Sequence, residues 1–359
     1  MDTFQKMQLP KTLIQTLQKM KFSKPTPIQS EAIPFILRGK DILASAQTGT
    51  GKTGAFGIPL AAKVLSNPQQ SALVMTPTRE LATQVMCQLQ SMLGKKSRVQ
   101  SALLIGGEAL PKQLKQLRNR PQVIVGTPGR INDHLQRRSL ILNNTDILVL
   151  DETDRMLDMG FTSQIEKVMK QMPEKRQTLL FSATLPQNID RIVKKYLNSP
   201  VCIAVNETST PATNIKQDML RVNASDKYSH LLSQLNTREG SIIVFVKTKY
   251  GTERMATRLS KEGHSANAIH GALKQSKRDR VLCSFRNKEY RILVATDIAA
   301  RGLDIAHIEH VINYDLPQRA EDYIHRIGRT ARAGAEGCAL NLVTPADRGK
   351  WHAIEKLLN

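Results

Sequence analysis

Short apolar runs recur along the chain, separated by longer stretches in which apolar positions return at helical spacing. In the first part these runs are DILASAQ, SALVMTPT, SALLIGG, QVIVGTP, DILVLDE, QTLLFSAT and VCIAV. SIIVFV, HSANAIHG, RILVATD, HVINYD and CALNLVTP follow in the second. Strands that alternate with helical patterns predict parallel sheets with crossover helices, an α/β fold. After Val205 the stretch NETSTPATN is polar and lacks apolar periodicity, which predicts a connector over 206–214. The expected organisation is therefore a first domain over 1–205 and a second over 215–359. Two α/β domains on a short linker form a cleft, and ligands of such sheets bind at the carboxyl ends of strands. The stretch DRGKWHAIEKLLN predicts a terminal amphipathic helix, with Trp351 as core or docking surface.

Composition narrows the partner. The chain has 359 residues, 40% of them hydrophobic, enough for two domains with cores of their own. Its 52 Lys and Arg outnumber 31 Asp and Glu, and a net charge of +21 points to a polyanion, with nucleic acid the leading candidate. Aromatic residues make up only 4%, so a surface paved with stacking rings is disfavoured and contacts to the phosphate backbone must carry affinity. Cys87, Cys202, Cys283 and Cys338 lie far apart in sequence, which indicates neither a zinc site nor a disulfide framework. No signal-type segment and no membrane-length apolar run is present, so the expected location is the cytoplasm, away from membranes.

Chemistry concentrates at two strand ends. After DILAS comes AQTGTGKT, from Ala46 through Gln47, Thr48, Gly49, Thr50, Gly51 and Lys52 to Thr53, leading into a helical pattern. This is a P-loop: glycines turn backbone N–H groups toward phosphates, Lys52 reaches the β and γ phosphates, and the Thr53 hydroxyl binds Mg²⁺. Its first position is Ala46 in place of Gly. LVLDE supplies the acidic strand end that such a site needs. Asp151 holds Mg²⁺ and Glu152 polarises the water that attacks the γ-phosphate.

Beyond these two, the motifs resemble those of the DEAD-box ATP-dependent RNA helicases of superfamily 2, in the family order from Phe4 to about Pro345. Their pattern looks closest to the bacterial RhlE-type branch. The resemblance implies two RecA-like domains, each a mostly parallel sheet flanked by helices. KFSKPTPIQ is similar to the Q motif, within 2–30, so Phe22 stacks on adenine and Gln29 reads its edges, with Lys21 where a Gly is usual. PTRELA, Gly106–Gly107 and TPGR resemble the first RNA-contacting motifs, which implies roles for Thr78, Arg79, Gly107, Thr127 and Arg130. SAT resembles the coupling motif, placing Ser182 and Thr184 against Asp154. In the second half IIVFVKT and QSKR resemble further RNA-contacting motifs, the latter with Gln275 and Arg278, while HGALKQ carries Ala272 where Asp is usual. ATDIAARGLDI implies RNA contacts for Thr296 and Arg301 and a ribose contact for Asp304. HRIGRTARAG implies arginine fingers at Arg326 and Arg329, with His325 linking that loop to the acidic motif. The acidic motif reads DETD, with Thr153 in place of the Ala of the family name.

The resemblance implies an RNA-stimulated ATPase that closes on ATP and Mg²⁺, separates short duplexes locally or remodels RNA–protein complexes, and grips RNA without sequence preference. A monomer acting on single-stranded RNA or short duplexes is expected, with ribosomal-precursor or RNA-decay complexes as candidate settings. The alternative is an ATP-gated RNA clamp with little strand separation.

Overall fold

The computed structural model describes residues 3–46, 49–184, 187–205, 214–300, 305, 307–331 and 335–358. The chain divides into two compact units, 1–207 and 208–359. Most of the expected connector, 206–213, lies outside the described residues.

Among the described residues the first unit holds seven strands: β1 (Ile42–Ser45), β2 (Ala72–Met75), β3 (Ser101–Leu104), β4 (Val123–Gly126), β5 (Ile147–Leu150), β6 (Gln177–Ser182) and β7 (Val201–Ala204). They pair in parallel, in the order β3-β4-β2-β5-β6-β1-β7. Strands buried on both faces need apolar residues at consecutive positions, and alternate residues then serve opposite layers. Accordingly Ile147 and Val149 of β5 join one core cluster while Leu148 and Leu150 join the other. Helices Pro27–Leu37, Lys52–Ser66 and Arg79–Leu93 contribute buried residues to the first cluster; Thr162–Met169 and Gln187–Tyr196 contribute to the second.

The second unit holds β8 (Ile215–Arg221), β9 (Ser241–Phe245), β10 (Ala266–Ile269), β11 (Ile292–Ala295), β12 (Ile308–Asn313) and β13 (Gly337–Val343). These are again parallel, in the order β10-β11-β9-β12-β13-β8. The strand β8, IKQDMLR, has no counterpart among the expected runs. Among the described residues it pairs with β13 alone, at the sheet edge, so partial exposure lets it carry polar residues. The last helix, Arg348–Leu358, packs through Ile354 and the half-buried Trp351 against Tyr323. Among the described residues no helix is long and apolar enough to cross a membrane.

Candidate functional site

In a parallel sheet all carboxyl ends share one edge, and the strand order of the first unit divides that edge in two. The adjacent strands β5, β6 and β1 carry the acidic motif, Ser182–Thr184 and the phosphate loop. Their neighbours β3, β4 and β2 carry Ile105–Glu108, Thr127–Arg130 and Thr76–Arg79.

The described part of the phosphate loop turns left-handed at Gly49 and Gly51, with φ of 92° and 95°. Helix Lys52–Ser66 starts directly after it, so the loop meets a helix N-terminus, where free N–H groups favour an anion. Lys52 is buried and donates from Nζ to the Ala46 carbonyl at 2.8 Å. Gln47 and Thr48 lie outside the described residues. Gly51 favours glycine by its backbone angle, and Gln29 packs closely over it: a Cβ on Gly51 would fall 2.6 Å from Gln29 Nε2, and one on Gly54 would fall 2.5 Å from the same atom.

Gln29, expected to read adenine, is buried and ties this region together. Its Oε1 accepts from the Thr26 N–H at 3.1 Å, and its Nε2 donates to the Gly51 carbonyl at 3.0 Å. Phe22 is placed by the end of helix Lys11–Lys19. Lys21 adopts φ 62°, and the Phe22 and Lys21 N–H groups donate to Leu17 and Gln18 carbonyls at 2.9 and 3.0 Å. That pair of bonds is a Schellman motif, whose left-handed position favours glycine, the physical reason a Gly is usual where Lys21 stands. The Phe22 ring meets Phe4 edge-on, with centroids 6.2 Å apart.

At the end of β5 the apolar run gives way to Asp151, Glu152, Thr153 and Asp154, all four buried. Burial raises the Asp151 carboxyl to about 7, against the attraction of Lys52 and with Glu152 adding to the rise. A buried, electrically under-compensated carboxylate fits a hard cation. Together with the Thr53 hydroxyl in the first helical turn, the donor set suits Mg²⁺, which uses one or two protein oxygens beside substrate phosphates. Among the described residues no cluster of three or more His, Cys, Asp or Glu could hold a metal by itself.

Glu152 sits in the left-handed region, φ 51° and ψ 52°, a strained placement for a non-glycine residue. Its Oε2 pairs with Arg155 Nη1 at 3.0 Å, a contact between two buried side chains. Sequence reading did not single out Arg155, although its spacing of three on a helical turn was available as a signal. Thr153 is fully buried and donates its hydroxyl to the Leu150 carbonyl at 3.2 Å. Asp154 gathers the SAT segment. Its Oδ2 accepts from the Ala183 N–H, the Thr184 N–H and the Thr184 hydroxyl at 3.2, 3.0 and 3.1 Å, while its own N–H donates to Ser182 Oγ at 3.3 Å.

On the other half of the edge, Thr78 caps helix Arg79–Leu93 by accepting from the Leu81 N–H at 3.2 Å. Thr127 is the N-cap of helix Pro128–Gln136, and Arg130 in its first turn donates to the Glu108 carbonyl at 3.5 Å. Gly107 is left-handed at φ 80°.

In the second unit Gln275 opens helix Gln275–Arg286 and donates to Asp279 at 2.9 Å, and Arg278 is buried and donates to the His270 carbonyl at 2.9 Å. Thr296 follows β11 and precedes the short helix Asp297–Ala300; Arg301 and Asp304 lie outside the described residues. His325 and Arg326 end helix Ala320–Ile327, and Arg329 follows in the next turn.

Arg326, for which the resemblance implies a finger role, is held within its own unit. It is 3% exposed, and its guanidinium donates to both oxygens of Asp297 at 2.5 and 2.8 Å, to Asn313 Oδ1 at 2.8 Å and to the Asp315 carbonyl at 2.5 Å. Four of the five N–H groups of the planar fork are engaged in this way, which makes the side chain an internal tie of its unit. Asp297, the partner that makes it so, was not anticipated.

Comparison with known proteins agrees with these motifs. Residues 26–192 match the DEAD/DEAH box helicase family and 226–334 match the helicase conserved C-terminal domain. The chain is 45% identical over 358 residues to the DEAD-box ATP-dependent RNA helicase CshA of Geobacillus kaustophilus, covering 99% of this chain and 76% of that one. It is 43% identical over 356 residues to CshA of Bacillus subtilis, covering 99% and 72%. Among solved structures, S. cerevisiae Dbp5 bound to RNA and ADP BeF3 superposes with a TM-score of 0.88 at 33% identity, covering 100% of this chain and 94% of that chain. Mss116p bound to ssRNA and AMP-PNP gives a TM-score of 0.88 at 28% identity, covering 98% and 76%. Two RecA-like units of parallel sheet, a P-loop before a helix and an acidic strand end accord with these matches, and the chain belongs to the DEAD-box ATP-dependent RNA helicases.

Proposed function

We propose that the chain hydrolyses ATP in response to RNA and uses the cycle to separate short duplexes locally or to remodel RNA–protein complexes. The observation that carries this reading is the divided strand edge of the first unit. Phosphate loop and carboxylates occupy one half; hydroxyls, cations and turn N–H groups suited to phosphates occupy the other. Bound RNA and bound ATP therefore act on neighbouring loops of one rigid sheet.

On the ATP half, Lys52 and the helix N-terminus would hold the phosphates, and Asp151 with Thr53 would hold Mg²⁺, which would supply neutralisation of phosphate charge when bound. Glu152 takes the proton of the attacking water, and its pairing with Arg155 fixes the carboxylate until then. Asp154 transmits the state of the acidic motif to Ser182 and Thr184. On the resemblance of HRIGRTARAG we assign Arg329 and His325 of the second unit to the same reaction. Arg326, tied to Asp297, holds that loop's helix in place. Gln47, Thr48, Arg301 and Asp304 keep the roles the resemblance implies. Within the family, 45% identity to CshA supports a CshA-like assignment in place of the RhlE-type branch.

Steady-state hydrolysis with and without single-stranded RNA, beside Glu152→Gln, tests the proposal. Single-stranded RNA should stimulate turnover, and the variant should lose on the order of a hundredfold or more, the scale of a general base. RNA-independent turnover, or an unimpaired variant, would overturn it. Because Glu152→Gln strips a buried arginine of its counter-charge, its melting temperature must be measured alongside.

A further inference from the structure

Two fully buried polar side chains, Gln113 and His134, lie behind the RNA half of the edge. Gln113, in helix Leu110–Arg118, donates from Nε2 to the carbonyls of Ile105 and Glu108, each at 3.1 Å. These two bonds pin both ends of the turn that follows β3. Both amide hydrogens are thereby used, so Gln113 Oε1 can only accept. Its neighbour at 3.2 Å is His134 Nε2, in helix Pro128–Gln136. His134 must therefore donate from Nε2, which leaves Nδ1 as an acceptor, and the Ser139 hydroxyl lies 2.8 Å from it. The tautomer is fixed by the network. Burial, with Arg130 nearby, holds the imidazole below the ordinary histidine range and so keeps it neutral. Gln113 and His134 are both 0% exposed.

The turn that this pair fixes is also where the cations converge. Arg130 donates to the Glu108 carbonyl, and the Arg79 guanidinium lies so close over Gly106 that a Cβ there would fall 2.9 Å from Nη2. We propose that His134 is a positioning residue for RNA binding: through Gln113 it sets the backbone of Ile105–Glu108, and with it the seats of Arg79 and Arg130. The inference rests on the reading of this edge as the RNA face.

The test uses the full chain and measures the concentration of a single-stranded RNA oligonucleotide that half-saturates ATP hydrolysis, together with KM for ATP. His134→Phe fills the space without a donor and should raise the half-saturating RNA concentration about three- to tenfold, as expected when a buried acceptor loses its donor. KM for ATP, measured at saturating RNA, should not change. His134→Gln, which can still donate to Gln113, should restore RNA affinity close to that of the parent. Should His134→Phe fail to fold, Gln113→Met removes both carbonyl bonds and should shift RNA half-saturation in the same direction. An unchanged RNA constant, equal losses in the Phe and Gln variants, or parallel shifts in the RNA and ATP constants would each overturn the proposal. Arg130→Ala separates the two levels. If it leaves RNA half-saturation unchanged, the RNA-face reading fails; if it raises it while His134→Phe does not, only the positioning role fails.

Discussion

Lys21 holds a left-handed backbone angle that an L-residue adopts at a cost, and the aromatic next to it depends on that angle. Replacing Lys21 with Gly relieves the strain while keeping the two Schellman bonds. Chemical denaturation should show a gain of about 0.5–1 kcal/mol, with KM for ATP unchanged because Phe22 keeps its place. Thr153 has the opposite character. Its departure from Ala suggests an effect on coupling, yet its hydroxyl donates to the Leu150 carbonyl within the same turn. Thr153→Ala should cost about 0.5–1.5 kcal/mol of stability and leave both ATP turnover and strand separation unaltered. Asp151 carries a pH signature. Its carboxyl is raised to about 7 in the folded chain and sits near 4 when unfolded, so the folded state binds the extra proton between those values. Stability without nucleotide therefore declines as pH rises from about 4 toward 7 and stays lower above it. Asp151→Asn removes that decline, so melting temperatures of variant and parent should draw together as pH falls toward about 4 and separate in favour of the variant at about pH 8.

The helix Ala320–Ile327 is fixed by a polar chain that crosses the second sheet. Gln217 of β8 accepts from Tyr323, whose hydroxyl accepts from Asn341 of β13; Asn341 accepts from Asn313 of β12, which accepts from Arg326, and Arg326 ends on Asp297. Lysine cannot reproduce the two-pronged grip on Asp297. Arg326→Lys should lower stability in chemical denaturation by about 1–3 kcal/mol, the cost of leaving buried acceptors such as Asn313 Oδ1 without their donors, and reduce RNA-stimulated turnover with it. A residue used only on phosphate would lose turnover at unchanged stability. This chain also marks where sequence reading stops. Strands such as LVLDE and SIIVFV are apolar at consecutive positions, so their elements and their chemistry-bearing ends were plain. β8 was not, because an edge strand that buries little need not be apolar. Asp154 with Ser182 and Thr184 was legible from motif resemblance, whereas Asp297, Gln113 and His134 became visible only when packing brought distant segments together. Arg326 illustrates the difference: its type and position suggested phosphate, while its bonds to Asp297, Asn313 and Asp315 could not be read from the sequence.

At the scale of the whole molecule, a charge of +21 on a chain with few aromatic residues makes RNA binding a matter of phosphates. Each phosphate neutralised on a single strand lowers the logarithm of affinity by about 0.7 per decade of salt, so the slope counts contacts. Arg130→Ala should weaken binding to every sequence alike and flatten that slope by about 0.7. The same measurements bear on how ATP and RNA communicate. If both ligands favour one state of the molecule, thermodynamic linkage requires that saturating RNA tighten ATP by the factor by which ATP tightens RNA. Titrating a non-hydrolysable ATP analogue with and without a single-stranded oligonucleotide, then reversing the roles, gives two factors that must agree. Agreement at a factor well above one, lost in Asp154→Ala, would locate the communication in the acidic motif's grip on Ser182–Thr184. A factor of one in both directions would mean that the two halves of the strand edge act independently, and that RNA stimulates turnover by changing the chemical step alone.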